Sequence, residues 1–349
     1  MCCFIQLDNL ELEVQNLDSV DNHVLMESLN AISELILIGQ NFSIQRVINA
    51  GAIKPLLTIL NNNCNGAILL EATKVIAHIG RGSHEQIEIL VREGIVFHLS
   101  KIFHQVEDYR IQEQALIGLG NICSGSENGC MEVIRQGILD DVMKMVDGAE
   151  DSRKSFKKSQ LRACTFLLSN VSRLARFCGD EIAKIAFSDE LAITNDKKFT
   201  ENVASSQNES ATPKSQQSIF FASSSSFIPI SPPSSSTSTS SSSSLLSSTS
   251  SSSPSPSHSA DTQCYLRLFR HLRPLVHFFA RVINTTDQKL VEDGCWGLSE
   301  LSMQPRCLDM IIYVGVIKKI VSFIGCVYVK SDNELLKELL CLLIVYFMY

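Results

Sequence analysis

Apolar positions along most of this chain recur at the three- and four-residue spacing of an amphipathic helix, and small polar residues and glycines interrupt the runs at regular intervals. The stretch from Ile111 to Val146 shows the pattern most clearly. Ala115, Leu116, Leu119 and Ile122 share one helical face, and Ser124, Gly125 and Ser126 end that run. Met131, Val133 and Ile134 begin a second, and after Gly137 a third follows with Ile138, Val142, Met143 and Val146. The spacing predicts three helices per unit, with glycine supplying the sharp change of direction before the last.

The unit repeats. INAGAIKPLLTIL, VREGIVFHLSKIF and IRQGILDDVMKMV place Gly51, Gly94 and Gly137 at intervals of 43 residues, and VGVIKKIVSFIG offers a further copy around Gly315. Leu35, His78 and Asn121 each precede their glycine by 16 residues, and Glu300 precedes Gly315 by 15. A period of roughly 40 to 47 residues is that of armadillo or HEAT arrays. The count of domains therefore follows the repeat and not the length of 349 residues, because a solenoid buries one continuous apolar ribbon between neighbours.

The pattern divides the chain. Residues 1–23 form an acidic N-terminal helix or cap in which Leu10, Leu12, Val14 and Leu17 are the packing positions. Residues 24–188 hold three repeats and the start of a fourth. Residues 189–262 turn polar and then almost purely serine, so they bury too little apolar surface to offset ordering and are expected to be disordered. Gly315 lies 178 residues after Gly137, about 92 more than two periods, which a surface insertion in a solenoid permits. Residues 263–325 supply the missing third helix of the fourth repeat and the whole of the fifth. Residues 326–349 read as an incomplete sixth repeat whose apolar face has no neighbour.

Composition narrows the function. A net charge of −7 disfavours nucleic acid as the main partner, since a phosphate binder carries a basic stripe. The 12 cysteines include no CxxC pair, and Cys64, Cys123, Cys164, Cys295 and Cys341 lie in or beside apolar helical runs, so they read as reduced core residues and not as a metal site. No signal peptide is apparent, and the apolar run at 339–349 is short for a membrane span. A protein of the cytoplasm and nucleus is expected, without cofactor or metal. No nucleophile and base constellation or phosphate-cradling loop occurs, so an enzyme is not expected.

Three stretches carry a resemblance. QEQALIGLGNI at Gln112, LRACTFLLSNVSR at Leu161 and EDGCWGLSELS at Glu292 resemble motifs of importin alpha, the armadillo adaptor of nuclear import. The resemblance covers residues 24–186 and 264–325. It implies an all-α, right-handed armadillo superhelix whose third helices line a groove for an extended basic peptide, the nuclear localisation signal of a cargo. In that family tryptophans sandwich lysine stems, asparagines one turn later bond the peptide backbone, and nearby carboxylates neutralise the ammonium groups.

Carried over residue by residue, the ladder is degenerate. The tryptophan and asparagine positions hold Lys74 and His78 in the second repeat, Ile117 and Asn121 in the third, Phe166 and Asn170 in the fourth, and Trp296 and Glu300 in the fifth. Arg81 and Lys74 would repel a lysine-rich ligand. The importin beta partner of the family is doubtful here, because the first 30 residues contain no lysine or arginine, and the later repeats that form a second peptide site lie beyond the chain's end at Tyr349.

Plainer readings stand beside these. Asn121 and Asn170 are peptide-binding amides or polar residues of a solvated face, Trp296 lines the groove or fills the core between repeats, and His78 is an ordinary surface or capping histidine. The basic run Arg153, Lys154, Lys157, Lys158 and Arg162 is a solvated helix start or a mimic of the cargo peptide. Two functions follow: an importin-alpha-like adaptor that binds basic peptides weakly, or an armadillo scaffold that has lost cargo binding.

Overall fold

The computed structural model describes residues 9–62, 65–147, 157–177 and 256–320, without the side chains of Gln40 and of residues 256–260. These belong to one compact unit, and among the described residues every regular element is helical. The expected Ser-rich insertion, up to residue 255, and the expected sixth repeat lie outside the described residues.

The elements are α1 (Leu10–Asn16), α2 (Asn22–Asn49), α3 (Ile53–Asn61), α4 (Gly66–Ile79), α5 (His84–Arg92), α6 (Ile95–Gln105) and α7 (Tyr109–Gly125). They continue with α8 (Glu127–Arg135), α9 (Ile138–Asp147), α10 (Lys158–Val171), a 3₁₀ helix (Ser172–Phe177), α11 (Pro256–Val282), α12 (Gln288–Ser302) and α13 (Pro305–Val314). The first helix of each unit stacks on its counterpart, so α2, α4, α7, α10 and α12 form one row of successive neighbours. Their buried faces, including Ile76, Leu119, Leu168 and Leu298, belong to a single apolar core.

Two repeated devices set the geometry. Gly51, Gly94, Gly137 and Gly315 all have positive φ, between 74° and 84°, at the bend before the last helix of each unit. A Cβ at any of them would meet nothing within 4 Å, so glycine is required there by backbone conformation and not by crowding. The row helices open on short polar caps: Asp21 accepts from the His23 N–H at 2.8 Å, Asn65 from Ala67 at 2.9 Å and Asp108 from Arg110 at 2.9 Å. Asp287 does the same for α12, whereas α10 opens at Lys157, whose N–H is taken by Gln160 Oε1 at 3.1 Å. Each cap satisfies an amide that the helix leaves without a partner, worth ~1 kcal/mol.

The structure differs from the sequence expectation in three places. The first unit has no break between its first two helices: α2 runs unbroken through Gly39, because no Gly-x-Gly-Ser or Ser-Gly-Ser stop occurs there, as it does at Gly80–Ser83 and Ser124–Ser126. Leu12 is 54% exposed, so only Leu10, Val14 and Leu17 of the N-terminal helix pack. The boundary expected at residue 263 falls at Pro256 instead, a proline being well suited to a first helical turn that needs no N–H. The resulting 27-residue α11 is more than a third helix. It lies along both α8 and α9, through Cys264 Sγ to the Met131 carbonyl at 3.6 Å and His271 to Asp140 at 2.6 Å.

The glycine requirement is testable by substitution. Gly94→Ala should destabilise the protein by ~1–2 kcal/mol, the cost of a left-handed conformation for a residue with a Cβ. Gly66→Ala, at an unstrained helical position with open space around it, should leave stability unchanged or raise it by ~0.5 kcal/mol. Urea midpoints of the two variants measure the contrast.

Candidate functional site

Four helices of the row enclose a groove of about 420 Å³. Its walls are Ala77 and His78 of α4 with Arg81 just beyond, Glu113, Gln114, Ile117 and Asn121 of α7, Ser159, Arg162, Ala163 and Phe166 of α10, and Lys289 and Asp293 of α12. Of the eight residues predicted from sequence, His78, Ile117, Asn121 and Phe166 meet here. Lys74, Asn170, Trp296 and Glu300 do not line it.

Phe166 owes its position to a glycine. A Cβ on Gly120 would come within 2.7 Å of the Phe166 ring and 3.4 Å of the Leu167 Cα, so only glycine lets α7 and α10 approach with the phenyl between them. Ile117, half-buried on the same helix, adds an apolar wall to the groove.

The predicted ladder of free amides is mostly engaged within the chain. Asn121 is buried, and its Nδ2 donates to the Ala77 carbonyl of the preceding row helix at 2.8 Å. Asn170 Nδ2 donates back to the Phe166 carbonyl of its own helix at 2.9 Å. Glu300, at the asparagine position of the fifth repeat, is buried and accepts from Arg176 Nη2 at 2.6 Å, with Arg173 Nε at 4.0 Å. Burial raises the pKa of Glu300 and the two guanidiniums oppose that rise. Trp296 is half-buried on α12, one turn past Asp293, and Lys74 pairs with Glu71 at 2.7 Å.

His78 is half-buried, with Nδ1 3.0 Å from Ser33 Oγ. Its pKa is lowered, first by burial and then by the nearby positive charges of Arg81 and Lys74, so it is neutral at pH 7. The described end of the basic run is also committed. Lys158 and Arg162 reach Asp287 at 2.7 and 2.6 Å, and the Arg162 hydrogen bond, then Lys158, hold that carboxyl well below the usual range. These pairs and the Arg176–Glu300 pair tie α10 and the 3₁₀ helix to α12. The Gln304 amide, at the start of α13, adds a neutral bond to the 3₁₀ helix by donating to the Ala175 carbonyl at 2.6 Å.

One group is left over. Asp293, 7% exposed, lines the groove and pairs through Oδ1 with Lys289 at 3.0 Å. Its Oδ2 is buried and has no hydrogen-bond partner among the described residues. Burial raises its pKa, opposed by Lys289. Asp293 and Glu113 are not among the residues predicted from sequence, and Arg162 is predicted only as part of the basic run, although Glu113 and Arg162 sit four residues before Ile117 and Phe166 and so share their helical face. Among the described residues no cluster of metal-ligating side chains occurs and no helix is long and apolar enough to cross a membrane.

No family model matches the sequence. The chain is similar to importin subunit alpha-1b of Oryza sativa subsp. japonica, 26% identical over 168 residues that span 48% of this chain and 30% of that protein. It is likewise similar to importin subunit alpha-2 of Arabidopsis thaliana, 26% identical over 169 residues, again 48% of this chain and 30% of the relative. The match thus spans under a third of these relatives' length. Among solved structures, a designed armadillo repeat protein superposes with a TM-score of 0.57 at 16% identity, covering 97% of this chain and 99% of that one. Another, in complex with peptide (KR)4, gives a TM-score of 0.56 at 17% identity with the same coverage. The fold is an all-α armadillo-repeat solenoid.

Two outcomes test this geometry. Arg176→Ala leaves Glu300 buried with only Arg173 beside it and should lower stability by ~1–2 kcal/mol, while adding Glu300→Gln should recover most of the loss; urea midpoints of the single and double variants read this coupling. For His78, the folded-state pKa lies below the unfolded value of about 6.5, so the unfolded chain binds more protons and stability falls as pH drops below that value. His78→Gln should flatten the fall in thermal midpoint between about pH 7.5 and 5.5.

Proposed function

We propose, from an armadillo solenoid with a groove across four row helices, that this protein binds extended, lysine-bearing segments of other proteins. The observation that carries the reading is Asp293. A buried carboxylate oxygen without a partner costs free energy until a donor reaches it, and a lysine ammonium from a bound segment is such a donor. The Phe166 ring and Ile117 offer apolar surface for the lysine stem. The similarity to importin alpha subunits and to a designed armadillo protein in complex with (KR)4 supports the same ligand class. The finer proposal is an adaptor of nuclear import moving between cytoplasm and nucleus.

A second reading, an armadillo scaffold without cargo binding, draws on the engaged ladder. Asn121, Asn170 and Glu300 are all bonded within the chain, so a peptide backbone would have to displace those bonds or do without them. Both readings share the consequence that affinity for a basic peptide is weak.

Fluorescence anisotropy with a labelled lysine-rich peptide separates them. Saturable binding that Phe166→Ala weakens about fivefold to tenfold, ~1 kcal/mol of cation–ring attraction, supports the adaptor. An unchanged affinity in that variant overturns the groove assignment. Binding that emerges only after Lys74→Trp with His78→Asn points to the scaffold.

A further inference from the structure

The groove is not uniform along its length. Its α12 end carries Asp293, while its α4 end carries Arg81, which is exposed and has no ion-pair partner among the described residues. Of the other charges along the groove, Arg162 pairs with Asp287 and Lys289 with Asp293, while Glu113 of α7 makes no hydrogen bond or ion pair among the described residues. Arg81 and His78 also line an adjoining pocket with Ile36, Leu37, Asn41 and Ile44. Leu37 is 52% exposed there, and the uninterrupted helix α2 is what presents it.

We propose that Arg81 is an anion subsite, so that the segment held in this groove carries a carboxylate side chain at the α4 end and a lysine at the Asp293 end. The proposal rests on the peptide-groove reading above and names its ligand more closely: a segment of mixed charge, not a uniformly basic one. A guanidinium offers a forked pair of donors that matches a carboxylate, and Arg81 has this fork unoccupied. A lysine at the same place would meet Arg81 and be repelled. Between the two ends lie the uncharged Asn121, Ile117 and Phe166, with Glu113 on α7 and Arg162, held by Asp287, on α10. The row helices α4, α7, α10 and α12 are three interhelical steps of about 8–10 Å apart. About seven to nine residues of extended chain at ~3.3 Å each cover that span, which sets the separation of acid and lysine in the ligand.

The full-length chain is titrated by fluorescence anisotropy with three labelled peptides of equal length: one with lysines only, one with glutamates only, and one with a glutamate and a lysine about eight residues apart. The mixed peptide should bind about tenfold tighter than the lysine peptide. Arg81→Gln should bring the mixed peptide down to the lysine peptide's affinity while leaving the lysine peptide unchanged or tighter, and Arg81→Lys should keep part of the difference. Because Arg81 is exposed and unpaired, both variants should keep the parent's circular dichroism and melting temperature. A mixed peptide no tighter than the lysine peptide, or equal losses for both in Arg81→Gln, overturns the anion subsite and leaves the groove reading standing. If none of the peptides binds, the groove reading fails and the subsite with it.

Discussion

Contact between successive row helices is the constraint on which the rest of this structure depends. A three-helix unit of this size cannot bury its own apolar face, so α2, α4, α7, α10 and α12 complete their burial against one another in succession. That requires every unit to turn by the same amount, and the four glycines at φ between 74° and 84° provide it. The polar caps at Asp21, Asn65, Asp108 and Asp287 then fix where four of the five row helices start. A groove across the row is a by-product: wherever side chains on one exposed face line up across four helices, a channel with repeating chemistry results.

What this chain does with the channel differs from a regular ladder of amides and aromatics. Much of the polar chemistry on the inner face has been turned inward to hold the stack together. Asn121 bonds the preceding row helix, and two clusters of arginine and lysine on α10 and the 3₁₀ helix clasp Asp287 and Glu300 of α12. These clasps join residues 125 and 124 positions apart in the chain and add to the direct packing of α10 on α12. Against these paired groups, Arg81, Glu113 and the Oδ2 atom of Asp293 are the charged groove groups without a bonded partner among the described residues.

Repeat size, helix content and the bend glycines were legible in the sequence, because all three are local: a period of 43 residues, an amphipathic spacing and a residue that tolerates positive φ leave direct marks in the chain. The run-through of α2 was less legible, since it depends on the lack of a stop signal at Gly39 and not on the presence of one. The reach of α11 along two outer helices was not legible at all. Its amphipathic pattern predicts a helix, but nothing in that pattern says that α8 and α9 both lie under it.

The sequence by itself therefore determined the architecture and four of the residues that meet in the groove: His78, Ile117, Asn121 and Phe166. Tertiary structure decided which of the candidate groups are free. Whether an amide such as Asn121 faces a ligand or a neighbouring carbonyl, and whether Glu300 is an open carboxylate or the partner of Arg176, depends on distances between residues 44 and 124 positions apart. Helical periodicity places a side chain on a face, but only the packing of one helix on another brings a partner within hydrogen-bond reach of it.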